Sequence, residues 1–220
     1  MSSFTPLPNA AFQQILAAIQ QPLQTLHLKL DPTGIEQAYR EVEQFWHDAT
    51  QQISKTSFLI VGEATQNLRN YFYQPGSNST SFLSPEHFDQ PDKSALINWF
   101  TQQNILVFDL YPLPLPTFLY DANLFDSHDP AYASAMESYF DSKLQGRLNP
   151  DSTIVLRYTK LAERPEWPMF EQYLNKQGVT IIKVRESFTK KGKTLLKDVP
   201  LHIAKGIRAD PEKIRQIFPL

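Results

Sequence analysis

Cysteine is absent from this chain of 220 residues. Its absence excludes disulfides, thiolate nucleophiles and iron–sulfur clusters. Glycine is scarce, with only seven residues, and neither a Gly-x-Gly-x-x-Gly loop nor a phosphate-binding loop ending in Lys-Ser/Thr occurs. None of the five histidines lies at a metal-ligand spacing from another. We therefore expect no metal and no cofactor.

Long apolar runs are also missing, since no stretch approaches the roughly 18 residues that cross a bilayer. The first residues lack a basic segment followed by an apolar one, so we expect a cytoplasmic protein without a membrane partner. Apolar residues make up 41% and charged residues 20%, as in folded proteins. We expect one domain over residues 1–220, in which residues 1 to about 56 form an N-terminal helical extension.

Charge is distributed unevenly, although the net charge is only −2. Residues 1–110 carry five basic and ten acidic side chains, whereas residues 111–220 carry 16 basic and 13 acidic ones. Residues 183–208, here called the basic segment, hold eight Lys or Arg residues against Glu186 and Asp198. Such a cluster neutralises phosphates and favours DNA as a partner. The alternative is a solvated surface, which is more common for charge runs.

Hydrophobic periodicity predicts two helices near the N-terminus. The first covers residues 9–21, where apolar side chains recur at three- and four-residue spacing, and Pro22 ends or bends it. The second follows Asp31 and Pro32 and carries an apolar stripe that includes Tyr39 and Trp46. Both are interpreted as packing helices.

Short apolar runs then alternate with helical patterns. The runs are typical of strands buried on both faces and lie at residues 58–61, 105–108, 153–156 and 179–184. The helical patterns lie at about residues 92–102, 130–145 and 166–177. This alternation predicts an α/β fold with three layers, α/β/α, around a central four-stranded parallel sheet with right-handed crossovers.

The carboxyl ends of these strands are the expected place for a site, because ligands of parallel sheets bind beyond that edge. Glu63 follows the first strand and Asp109 ends the second. The pair Arg157-Tyr158 and the triplet Arg185-Glu186-Ser187 follow the third and fourth. Glu63 is a candidate to hold a water or a developing cation. For either carboxylate, the alternative role is to cap a turn or a helix.

Aromatic side chains lie close to both carboxylates in sequence. Tyr111 begins a loop that is a candidate wall of a pocket next to Asp109. Residues 71–73, Tyr-Phe-Tyr, lie about ten positions beyond Gly62, where one ring is a candidate to stack on a flat ligand such as a base. The alternative for these three rings is packing in the core.

Residues 59–64, Leu-Ile-Val-Gly-Glu-Ala, resemble the first motif of the uracil-DNA glycosylase superfamily in its Gly-Glu-Ala-Pro form. The resemblance covers roughly residues 57–190 and implies a glycosylase-like fold. It implies that Glu63 acts on the hydrolytic water, with Gly62 and Ala64 beside it in the substrate pocket. It also implies that Phe72 stacks on the extruded base.

The later segments extend this resemblance. Residues 106–109 are similar to the strand whose last side chain reads the edge of the base, a role that would fall to Asp109 with Tyr111 beside it. Arg185 and Ser187 lie where the family has a His-Pro-Ser type loop that enters the minor groove. The lysines expected to follow the phosphates are Lys183, Lys190, Lys191 and Lys193.

Three positions differ from the family pattern. Thr65 replaces the proline of the first motif, and Asp109 replaces an asparagine, so it offers only acceptors to a base. Arg185-Glu186-Ser187 has no histidine, which leaves Arg185 or Lys183 to stabilise a departing base anion. The sequence thus predicts a divergent glycosylase that hydrolyses an N-glycosidic bond in DNA. The alternatives are an inactive relative that binds nucleic acid or a nucleobase-like ligand, and an α/β protein with another partner.

Overall fold

The computed structural model describes residues 9–25, 31–64, 71–76, 85–115, 128–156, 159–179, 182–188, 193–199 and 201–203. Within these ranges the helices are α1 (Asn9–Thr25), α2 (Pro32–Thr50), α3 (Lys93–Gln102), α4 (Pro130–Leu144) and α5 (Trp167–Lys176). The strands are β1 (Phe58–Gly62), β2 (Ile105–Asp109), β3 (Thr153–Leu156), β4 (Ile182–Phe188), β5 (Lys193–Val199) and β6 (Leu201–Ile203).

The sheet is organised around β1, which lies between β2 and β3 and is parallel to both. Leu59 is level with Leu106 on one side and with Ile154 on the other. All three residues are fully buried, as expected for parallel strands that are covered on both faces. The predicted α/β class is confirmed for this three-stranded parallel group.

The fourth predicted strand has a different position from the one expected. It forms β4, which is the outermost strand of the order β2-β1-β3-β6-β5-β4 and pairs antiparallel with β5. The strand next to β3 is instead β6, which is parallel to it. Only residues 189–192 connect β4 to β5, and so short a connection forces antiparallel pairing. A sheet with residues 179–184 as its fourth parallel neighbour is therefore not observed.

Two crossovers carry helices over the sheet. The chain passes from β1 to β2 through α3 and then returns across β1 to β3 through α4. Because right-handed crossovers in opposite directions use opposite faces, α3 and α4 belong to different faces. In the contacts, α3 packs on α2, and α4 packs on α1 and α5. α2 also reaches α4, through the Glu43–Lys143 ion pair.

The N-terminal helices belong to the same core as the sheet. Five apolar residues of α1, from Phe12 to Leu23, are at most 3% exposed and join the main core cluster. The helix continues past Pro22 to Thr25, so the proline does not end it. Burial of Leu23 one turn after Ile19 compensates for the backbone hydrogen bond that the proline removes.

The outer edge of β2 is capped by side chains. The backbone N–H of Val107 donates to the Tyr73 hydroxyl oxygen at 2.8 Å, and the Trp46 indole Nε1–H donates to the Val107 carbonyl at 3.2 Å. Both caps are buried, so they satisfy backbone groups that would otherwise be unpaired at a sheet edge.

We predict that Tyr73→Phe lowers the free energy of unfolding by about 1–3 kcal/mol, because it leaves the buried Val107 N–H without an acceptor. Urea denaturation measures this change. Tyr173→Phe in α5 is the matched control, since its buried hydroxyl lies away from the edge of β2. Equal losses in the two variants would contradict the capping role.

Candidate functional site

The direction of the strand order changes between β1 and β3. From β1 the chain first moves to one side, to β2, and then to the other side, to β3. In open α/β sheets, ligands bind where the order reverses in this way. The segments that leave β1 and β3 are therefore the candidate site.

An ion pair joins these two segments. Glu63 follows β1, and Arg164 follows the short helical turn Thr159–Glu163 after β3. The Arg164 guanidinium donates to Oε1 of Glu63 from Nε, at 2.8 Å, and from Nη2. The side chains are 16% and 11% exposed, so solvent screens this pair less than a surface pair.

A second contact joins the exit of β2 to the same segment. The Tyr111 hydroxyl donates to Oε2 of Glu166, and the Tyr132 hydroxyl of α4 donates to Oε1 at 3.3 Å. Glu166 is only 1% exposed. Burial raises the pKa of Glu166, whereas the two tyrosine hydroxyls and Arg164 act in the opposite direction. Burial and the facing carboxylate of Glu166 raise the pKa of Tyr111, so its phenol stays protonated.

The exits of β1 and β2 are also held in register by their backbones. Gly62 is level with Asp109, and the pairing continues as the N–H groups of Leu110 and Tyr111 donate to the carbonyls of Gly62 and Glu63, at 3.0 and 2.9 Å. The structure thus brings Gly62, Glu63, Asp109 and Tyr111 together at one edge.

Asp109 lines a small cavity between β2, α2 and α4. The cavity measures about 10 Å³ and is also lined by Glu43, Tyr71, Tyr111, Tyr139 and Lys143. This volume is at the lower limit for one water molecule. A base therefore enters only if surrounding side chains such as Tyr71 and Tyr111 move. Burial, followed by the charge of Asp109, raises the pKa of Tyr71.

A buried ion pair closes the far side of this cavity. Lys143 Nζ lies 2.5 Å from Oε1 of Glu43, and the two side chains are 3% and 8% exposed. The same ammonium lies 4.1 Å above the Trp46 ring, and the Arg147 guanidinium lies 4.8 Å from it. Burial lowers the pKa of Lys143, and the carboxylate of Glu43 opposes this effect.

Phe72 and Ala64 pack in or against the core. Phe72 is 4% exposed, packs on Phe100 and Tyr73, and has the ammonium of Lys93 4.0 Å from its ring centroid. Its ring is thus a core contact in this form of the protein. Ala64 is half-buried against the core. Stacking of Phe72 on a base stays a prediction and requires the ring to be uncovered.

The basic residues predicted for the site are farther away. Arg185 and Ser187 lie on β4 with Lys183, and Lys193 lies on β5. The register places Ser187 level with Glu63. However, β4 is four strands from β1, about 19 Å at the usual strand spacing. The structure therefore does not bring Arg185 to Glu63.

Several predicted residues fall outside the described part of the chain. These are Arg157, Tyr158, Thr65, Lys190 and Lys191. Residues 65–70 and 77–84 after β1 and residues 116–127 after β2 also lie there. Within the described ranges, no group of His, Asp and Glu side chains is arranged to hold a metal ion, and no helix is long and apolar enough to span a membrane.

Sequence reasoning missed Arg164, Glu166 and Tyr132. Arg164 lies eight positions beyond the end of β3, in a segment without a motif, and Tyr132 reads as a packing residue of α4. The one available signal was the charged run from Glu163 to Glu166 between a strand and a helix. Glu166 is buried despite its charge, and burial is decided only by tertiary packing.

Comparison with known proteins does not assign a function to this site. A scan against protein-family models and searches of curated proteins and of solved structures all found nothing similar to the chain. Its function must therefore be argued from the residues themselves.

We predict that Lys143→Met destabilises the protein by about 3–5 kcal/mol, because it leaves the Glu43 carboxylate buried without its cation. The double variant Lys143→Met with Glu43→Leu should recover most of this loss, since it buries no charge. Urea denaturation of both variants measures the difference. Equal stability of the single and double variants would show that the pair is dispensable.

Glu166 should make stability depend on pH with a defined sign. Because its pKa is raised in the folded protein, folding favours the protonated form. The resulting stabilisation is complete below the unfolded pKa, about 4.3, and is lost as pH rises through the folded pKa. Urea denaturation between pH 4 and 8 should show wild type losing stability relative to Glu166→Gln as pH rises. Glu163→Gln, an exposed neighbour, should show no such trend.

Proposed function

We propose that the chain is a divergent relative of the uracil-DNA glycosylases that hydrolyses the N-glycosidic bond of a base extruded from DNA. The observation that carries the proposal is the Glu63–Arg164 ion pair between the segments that leave β1 and β3. It supports the proposal because Glu63 belongs to the segment that resembles the glycosylase first motif and follows β1 at the edge of the sheet where ligands of open α/β folds usually bind.

In the proposed reaction, Glu63 acts on the attacking water and Arg164 acts on the departing base. A water adds to the sugar carbon C1′ while the C1′–N bond breaks, and Glu63 orients that water and accepts one of its protons. The base leaves with the electron pair of the broken bond. Arg164, whose guanidinium already reaches Glu63, supplies the positive charge that stabilises it. The sequence assigns this role to Arg185 or Lys183, but those residues lie on β4, four strands from β1.

Substrate binding requires an opened form of the site. The cavity beside Asp109 holds about one water, and the Phe72 ring is covered. In the opened form, Asp109 would read the edge of the base with Tyr111 beside it, and Phe72 would stack on its face. The hairpin of β4 and β5 would follow the phosphates with Lys183 and Lys193.

Glu63→Gln should reduce base release by about 100-fold or more, since it removes the group that accepts a proton from water. The assay is release of free base from oligonucleotides that carry a panel of damaged or deaminated bases. DNA affinity should stay within about threefold of wild type, because phosphate contacts supply most of it. Glu163→Gln is the matched control. Undiminished base release by Glu63→Gln would refute the assignment.

A second candidate is an inactive relative that binds nucleic acid or a nucleobase-like ligand. The small cavity and the covered ring of Phe72 favour it, because a relative that does not extrude a base needs no open pocket. This candidate predicts DNA binding that weakens steeply as salt rises, without release of any base from the same panel by wild type.

A further inference from the structure

Arg164, in the segment that leaves β3, pairs with Glu63 from the exit of β1 and is followed two residues later by a second acidic side chain, Glu166. Arg164 donates to Glu63, and its positive charge also acts on Glu166, two residues further along the chain. Glu166 is buried more deeply than Glu63. A buried carboxylate without hydrogen-bond donors is costly, so Glu166 would compete for the guanidinium if nothing else satisfied it.

Two tyrosines satisfy Glu166 instead. Tyr111 donates to one carboxylate oxygen and Tyr132 to the other. They come from separate elements, the exit of β2 and α4, so two independent parts of the fold converge on this side chain. Hydrogen bonds to a charged group are stronger than those between neutral groups, so the two hydroxyls can take the place of an arginine contact.

We propose that Tyr111 and Tyr132 are positioning residues that reserve Arg164 for Glu63 by satisfying Glu166. The proposal rests on Glu63 being the reacting carboxylate of the proposed function. The pairing of Arg164 with Glu63 then depends on hydroxyls that donate to a third residue, Glu166. Loss of the hydroxyls turns Glu166 into a competitor for the arginine, and Glu63 loses its partner.

This arrangement predicts a specific rescue. Tyr111→Phe keeps the buried ring and removes only the hydroxyl, so Glu166 should draw Arg164 away from Glu63. Adding Glu166→Gln should restore the wild-type pairing, because a neutral amide oxygen binds a guanidinium more weakly than the carboxylate of Glu63 does. A merely structural role for Tyr111 predicts no such rescue, since the second substitution would add its own damage.

The experiment follows the Nε proton of Arg164 by NMR in the full-length protein labelled with ¹⁵N-arginine, with Arg164→Lys identifying the signal. In Tyr111→Phe, exchange of this proton with water should be about tenfold faster than in wild type, the loss expected for one charged hydrogen bond. In Tyr111→Phe with Glu166→Gln it should return to within about threefold of wild type. Tyr132→Phe should have the smaller effect, since its contact with Glu166 is longer.

Tyr73→Phe controls for general destabilisation, because it removes a buried hydroxyl at the edge of β2 and should leave the Arg164 signal unchanged. An unchanged Arg164 signal in Tyr111→Phe would overturn the proposal. So would equally fast exchange with and without Glu166→Gln.

Base release by the same variants separates this inference from the proposed function. If wild type releases base, Tyr111→Phe should reduce release about tenfold and Glu166→Gln should restore it. If wild type releases none, the proposed hydrolysis fails, whereas the NMR result still decides whether the tyrosines reserve Arg164. Normal NMR rescue without rescue of base release would show that the arginine pairing is not what limits the reaction.

Discussion

Strand β1 is hydrogen-bonded to β2 on one side and to β3 on the other, and the rest of the structure depends on this constraint. Its residues from Leu59 to Val61 are fully buried and hydrogen-bonded between β2 and β3, so they form a fixed reference for both neighbours. Because the register continues beyond Gly62 through the N–H groups of Leu110 and Tyr111, the two polar exits cannot slide past one another. The position of Glu63 follows directly from the backbone of the sheet.

At this edge of the sheet, the charged side chains are paired with specific partners. Arg164 pairs with Glu63, the tyrosine hydroxyls satisfy Glu166, and Lys143 pairs with Glu43 on the opposite side of the Asp109 cavity. Each of these three carboxylates thus has its own partner, as burial requires. The cavity itself is closed around a volume suited to one water. These three carboxylates of the candidate site are therefore already held by basic side chains or by hydroxyls.

Local sequence patterns predict the core helices and strands, but they do not predict the order of the outer strands. The apolar runs at residues 58–61, 105–108 and 153–156 became β1, β2 and β3, because continuous burial leaves a strong signal. β5 and β6 lie within the basic segment, where charged side chains conceal the strand pattern. Glu63 and Asp109 were found because they end strands, whereas Arg164 has no periodic or motif signal.

The sequence by itself determined the α/β class, the three parallel strands and the polar residues at their ends, since these follow from short-range hydrophobic patterning. The resemblance of residues 59–64 to a glycosylase first motif stays a prediction from the sequence. Only the tertiary structure decided that β4 lies at the outer edge, that Phe72 is covered, and that Arg164 rather than Arg185 faces Glu63. These outcomes depend on which distant segments pack together, and the order of strands and the burial of charges are properties of the whole fold.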